Sequence, residues 1–415
     1  MKYYLMIWLA LIINIGFSQI NNIDSKSKVL DDFEKEVQRE IAEGKIAGAA
    51  YILYHDSKVV RKKAFGEAEI SSQKKMQTNS IFRIASMTKP LSSLALLLLQ
   101  EDGLLNMNDR LDHYLPNFSN PSVVVKIDTI HGKPILQTQS AKNPILLRHL
   151  LTHTAGFASE YGGVLGNLYK ETFKDAYLHD LDHFSTQLSG LPLNHEPGEN
   201  WIYGPSINVA ARVIEVVSGM KFQDFLQKRI LDPLEMKDTQ FYLDPSDEDR
   251  LTALYTFNES GKLNVRDSGN KESQKIKNPK VYYSGSGGLS STLDDYLKFC
   301  VMVLNNGVHK GKQIAKPETI SLMKMDQVPL NINADMNEQP GQLTEGFTFG
   351  YQIVRKQNAK SLKSQGAISW SGAAGPIFFI DVERKLIGIY MIQIQPNSHV
   401  NTRKSFADWM IKSIY

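Results

Sequence analysis

Both ends of this 415-residue chain read as strands, and the middle reads as helix. Near the start, the apolar runs Ala49–Tyr54 and Val59–Ala64 flank the turn residues His55-Asp56-Ser57. Near the end, Pro376–Asp381 and Leu386–Gln393 have the look of a hairpin pair. A strand alone cannot bury its apolar face, so runs this far apart predict one sheet to which both ends contribute. Amphipathic helices are predicted beside it at Lys28–Glu43 and Arg403–Ile414. Between lie the leucine-rich helix Ser86–Glu101, closed by Gly103, and the helix Asn208–Ser218, stopped by Gly219. The expected class is α/β of the α+β kind: an antiparallel sheet flanked by helices, formed by N- and C-terminal parts, with a mostly helical insertion. In residue numbers, the sheet part covers about 25–85 and 290–415, and the helical part about 86–289. The basic, Asn- and Ser-containing stretch Lys262–Lys280 reads as an exposed loop.

Composition narrows the functions open to such a chain. With 42% hydrophobic and 22% charged residues it can bury a sizeable core. Its 47 basic and 44 acidic residues nearly cancel, which gives no reason to expect nucleic acid as a partner. The single cysteine, Cys300, excludes an intrachain disulfide and a cysteine metal cluster, and no HxxxH or HExxH pairing on a helix is expected among the histidines, which gives a zinc hydrolase little support. No metal or organic cofactor is implied. Lys2, the apolar stretch Tyr3–Phe17 and small Ser18 have the layout of an export signal over 1–18, leaving 19–415 as the mature chain. The apolar run is short for a bilayer span, which takes about 20 residues, although an uncleaved anchor is the competing reading. The expectation is a periplasmic or secreted protein with no integral span after removal of the leader.

Three segments carry candidate chemistry. In Ser86-Met87-Thr88-Lys89, residues three apart share a helix face, so the lysine can reach the hydroxyl. The positive end of the helix dipole favours charge developing on the serine. The same Ser-x-x-Lys spacing also begins at Ser25, Ser71, Ser72, Ser218, Ser268 and Ser321, where solvated surface pairs are the simplest reading. Ser86 differs because the helix it opens must be buried, and a buried lysine needs a partner. Tyr203 follows the turn at Pro197-Gly198; a phenol beside an ammonium could shuttle the serine's proton, although most of the 17 tyrosines are simply packed. Ile368-Ser369-Trp370-Ser371-Gly372-Ala373-Ala374-Gly375 is either a plain turn or a strand edge whose small residues offer an amide to an oxyanion. Such a donor is typically worth about 2.7–4 kcal/mol.

Together these segments resemble the serine β-lactamase and penicillin-binding-protein superfamily. Similar to recurrent family segments are also His149-Leu150-Leu151-Thr152-His153-Thr154-Ala155-Gly156-Phe157, Asp232-Pro233-Leu234-Glu235-Met236-Lys237-Asp238-Thr239 and Ser286-Gly287-Gly288-Leu289-Ser290-Ser291-Thr292. The resemblance implies a site between sheet and helices, with Ser86 as the acylated nucleophile and Lys89 and Tyr203 as its proton-transfer partners. It also implies an oxyanion hole from the amides of Ser86 and Ala373, and substrate contacts from Trp370, Ser371 and Gly372. Two departures bear on specificity. The Tyr-x-Asn of class C enzymes is Tyr203-Gly204-Pro205 here, and the usual Lys-Thr-Gly is Trp370-Ser371-Gly372. An indole in place of a cation resembles the family VIII carboxylesterase and acyltransferase branch. The expected substrate is therefore a small-molecule ester, with an amide or β-lactam as the alternative. A cell-wall D-peptidase, a true β-lactamase and a non-catalytic binding protein of the same fold are the competing readings.

Overall fold

The computed structural model describes residues 27–130, 133–159, 162–332, 344–356 and 361–415, so the leader lies outside the described residues. Eight strands form one antiparallel sheet in the order Glu345–Phe347, Gln352–Val354, Ile368–Ser371, Ile377–Asp381, Leu386–Ile392, Gly48–His55, Lys58–Glu69, Lys74–Lys75. The two ends of the chain meet at its centre. There Ala49 to His55 pair in register with Ile392 to Leu386. Both strands are buried on both faces, which is why they read as continuous apolar runs rather than alternating ones.

Successive side chains of a strand point to opposite faces, and here each face has its own core. Tyr51, Leu53, Tyr390 and Ile392 pack with Phe33 and Val37 of the helix over 27–42 and with Phe406 and Met410 of the helix Asn401–Lys412. Ala50, Ile52, Ile389 and Met391 pack on the other side with the helices Lys89–Glu101 and Leu293–Leu304. The helix Lys89–Glu101, buried along nearly its whole length, is also packed by Ser206–Ser218. Among the described residues no helix is long and apolar enough to cross a membrane.

Two regions differ from the expectation. The middle contains two hairpins, Ser122–Ile130 with Lys133–Ser140 and Leu254–Phe257 with Leu263–Asp267. The second packs Ala253 and Tyr255 into the same core as the helix over 27–42. The stretch Lys262–Lys280 is not simply an exposed loop. Ser273 is fully buried, and Asp267 receives the guanidinium of buried Arg83 at 2.5 and 2.9 Å. Local polarity predicted solvent, but here the polar groups find partners within the protein.

Candidate active site

Ser86 sits on a strained turn between the sheet and the buried helix. The short strand Phe82–Arg83 pairs with Ser290–Ser291, and the Gln393 amide clasps Arg83 by accepting from its N–H and donating to its carbonyl, both at 3.0 Å. Ala85 then adopts φ +43°, the left-handed region that side chains avoid, and Ala85–Thr88 form a 3₁₀ turn. The α-helix begins at Lys89, with Pro90 in its first turn. Ser86 therefore precedes the α-helix instead of opening it. The consequence is favourable, because residues i and i+3 of a 3₁₀ turn eclipse, which sets Lys89 directly over Ser86.

Lys89 is 3% exposed. Its Nζ donates to Ser86 Oγ at 3.2 Å and to the Ser286 carbonyl at 2.7 Å, and it lies 4.6 Å from the centre of the Tyr203 ring. The Tyr203 hydroxyl donates to Ser86 Oγ at 2.7 Å. Residues 117 positions apart are thus brought into one hydrogen-bonded trio. The segment His149–Phe157 supplies the frame for the tyrosine. Gly198 N–H donates to the Thr154 carbonyl, and Ile202 N–H to that of His153. The His153 ring lies 4.8 Å from that of Tyr203. Burial, and then the Lys89 charge, hold His153 well below its ordinary pKa, so it packs as a neutral ring.

Trp370 does not line the cavity beside Ser86, although its place in the sequence suggested a substrate contact. It is 8% exposed, with its ring 5.4 Å from Tyr203 and 5.2 Å from Phe347. It backs the tyrosine. Gly372 lies against the serine's turn: a Cβ there would come within 2.3 Å of the Ile84 carbonyl, so only glycine permits this approach. Ser371 ends its strand opposite Ile377, and exposed Ala373 has its carbonyl held by Asn397 at 2.8 Å.

Two contributors went unsingled in the sequence. Asn208, one turn into the helix Ser206–Ser218, accepts from Ser286 N–H at 2.9 Å and from Ser284 Oγ at 3.0 Å, and donates to the Tyr282 hydroxyl at 2.8 Å. It thereby orients the segment whose Ser286 carbonyl receives Lys89. Class C enzymes place an asparagine two residues after the tyrosine; here a backbone carbonyl, steered by an asparagine five residues on, meets the lysine. The second contributor is an aromatic wall of Tyr169, Phe173 and Phe184, which Pro205 extends, along a cavity of about 340 Å³ that opens on Ser86. Among the described residues, Lys89 is the one Lys, Arg, Asp or Glu in its lining.

Two histidine pairs do have HxxxH spacing, His149/His153 and His179/His183. Burial pushes His149 down to about 4, and its Nδ1 accepts from Leu146 N–H. The second pair stacks at 4.0 Å. Among the described residues no three His, Cys, Asp or Glu side chains gather as a metal site.

An antiparallel sheet flanked by helices, with a Ser–Lys–Tyr trio at its margin, defines a protein of the β-lactamase and transpeptidase type. The chain belongs to the Beta-lactamase family, whose profile matches residues 33–408. It is 28% identical to protein Rv1367c of Mycobacterium tuberculosis over 91% of this chain and 93% of that one. It is 27% identical to the lovastatin esterase of Penicillium rubens, over 86% and 91%. Among solved structures, EstCE1, described as a hydrolase with promiscuous acyltransferase activity, superposes with a TM-score of 0.78 at 22% identity, covering 93% of this chain and 99% of that one. These relatives support a serine hydrolase or acyltransferase of this superfamily.

Proposed function

We propose that the protein is an esterase or acyltransferase that forms an acyl-enzyme on Ser86, from substrates neutral around the scissile bond. The observation that carries this reading is the cavity beside the trio, where among the described residues Lys89, aimed at Ser86, is the one Lys, Arg, Asp or Glu of the lining and the far wall is aromatic. An acyl chain entering there gains about 25 cal/mol per Å² of apolar surface buried. A carboxylate next to the scissile bond would lose hydration without a further cation to replace it. The lovastatin esterase, by its name, acts on an ester, which accords with this reading.

In the proposed mechanism the Lys89–Tyr203 pair reacts from the form that has lost one proton, amine with phenol or ammonium with phenolate, and takes the Ser86 proton as Oγ attacks the acyl carbonyl. The amides of Ser86 and Ala373 hold the oxyanion. Tyr203 returns the proton to the departing alcohol, and water or a second alcohol then takes the acyl group. Trp370 acts by fixing the Tyr203 ring. Export directed by residues 1–18 belongs to the same proposal, and the secreted chain should begin at or near Gln19 by mass spectrometry.

The test is acylation and selectivity together. A fluorophosphonate should label the peptide containing Ser86, and Ser86→Ala should lower ester turnover by a factor on the order of 10⁶, as loss of the nucleophile does in subtilisin. For the wild type, kcat/KM should be higher for a neutral p-nitrophenyl ester than for a penicillin or a D-alanyl peptide. Unchanged turnover in Ser86→Ala refutes the nucleophile. Faster cleavage of the penicillin or the peptide restores the β-lactamase or peptidase reading.

A further inference from the structure

A second cavity, of about 350 Å³, lies behind the wall of the first, and Tyr282 and Ser284 line both. Its chemistry is the opposite of the aromatic one. Arg83, Arg266 and Lys275 line it, against a single carboxylate, Asp267. That carboxylate is already committed, since Asp267 Oδ2 receives the Arg83 guanidinium and its Oδ1 receives Gln274 N–H at 2.9 Å. Two cations are left over. The Lys275 ammonium donates to the carbonyls of Phe241 and Gly288, and Arg266 donates to Gln395 Oε1 at 2.6 Å. All three acceptors are neutral. Among the described residues neither cation forms an ion pair. Half-buried Lys275 donates only to neutral oxygens, and burial and Arg83 disfavour its charged form against the pull of Asp267, so an anion bound beside it would favour the ammonium. Gln274 and Asn278 add polar side chains to the same lining.

We propose that this second cavity is a carboxylate-binding subsite, which takes an anionic group carried by the substrate at a distance from the scissile bond. The assignment rests on the reading of Ser86 as the nucleophile of ester cleavage. A carboxylate there would receive charge-assisted hydrogen bonds from Lys275 and Arg266, while the acyl group lies on the aromatic wall beside Ser86. The two cavities would thus divide one substrate into an apolar acyl end and a remote acidic end. Beside the scissile bond Lys89 is the one basic residue of the lining, whereas Arg83, Arg266 and Lys275 stand one wall away.

Two measurements on the full chain test the subsite. Calorimetric titration with succinate reads the anion site without any reference to catalysis. The butyryl ester of 6-hydroxyhexanoate, compared with that of its neutral hexanamide counterpart, reads its connection to the substrate. The expected result is succinate binding to the wild type and a KM for the acid ester lower than for the amide ester by on the order of tenfold, the range of hydrogen bonds to charged groups. Arg266→Gln, at an exposed position where folding is not at stake, and Lys275→Gln should each weaken succinate binding and bring the ratio of the two KM values toward one. Absence of succinate heat, equal KM values in the wild type, or an undiminished preference in Arg266→Gln would each overturn the subsite. If neither ester is cleaved while succinate still binds in an Arg266-dependent manner, the ester reading fails and the link to substrate falls with it, leaving an anion site alone.

Discussion

Two lysines reach the same short segment from opposite sides. Lys89 donates to the carbonyl of Ser286, and Lys275 to that of Gly288. Both are drawn out of water, and both anchor backbone. What separates them is the third group each one meets. Lys89 also touches Ser86 Oγ and the face of Tyr203, whereas Lys275 touches only another carbonyl, that of Phe241. Desolvation alone does not distinguish the two lysines; the proposed proton-transfer role of Lys89 rests on the hydroxyl within reach of its nitrogen.

Removing each ammonium sharpens the contrast most. Lys89→Met should lower kcat on a neutral ester by about 10² to 10⁴, the usual worth of a general base. Lys275→Met should cost less than about tenfold, since hydrogen bonds to neutral carbonyls contribute about 1 kcal/mol each. Comparable losses in the two variants would erase the distinction. Adding Lys89→Met to Ser86→Ala should produce little further loss, because the trio acts as a unit.

The segment between the lysines offers a smaller perturbation. Asn208→Ala leaves the Ser286 N–H without its acceptor, a penalty of about 1–3 kcal/mol. Some of this should appear in kcat as the Ser286 carbonyl loses its aim at Lys89, with KM for a short ester little changed. Asn208→Asp keeps an acceptor oxygen and should restore part of the rate. Equal kcat in all three proteins would reduce Asn208 to packing.

The last expected effect is on stability. Burial, and then the neighbouring Arg83 charge, push Lys275 down to about 7 from its ordinary 10.5, against the opposing pull of Asp267. Between those two pH values the unfolded chain binds the lysine's proton and the folded protein does not, so this group makes stability rise with pH across that window. Thermal unfolding of Lys275→Met should lack that rise relative to wild type. Parallel curves from pH 7 to 10 would show that Lys275 titrates normally.

The sheet was legible because its central strands are continuous apolar runs, and the pairing of Ala49–His55 with Leu386–Ile392 joins the regions first read as strands. Ser86 and Lys89 were legible for a local reason too: three-residue spacing ahead of a leucine-rich stretch requires a lysine to be buried with a partner. Tyr203 and the turn at Gly372 were candidates that spacing could not separate from plain packing, and the Ser286 segment was noticed through resemblance, since nothing in their spacing says what they touch. The polar run Lys262–Lys280 was misread because a lysine satisfied by carbonyls from Phe241 and Gly288 carries the same local signal as one in water. Periodicity along a chain records which side of an element is apolar, and so the sequence alone determined the strands, the buried helix and the serine–lysine pair. Which atom each polar group meets is decided where segments far apart in the chain cross. Only the tertiary structure could turn Trp370 onto Tyr203, aim Asn208 at Ser286, and set three basic residues in one cavity and an aromatic wall in the other.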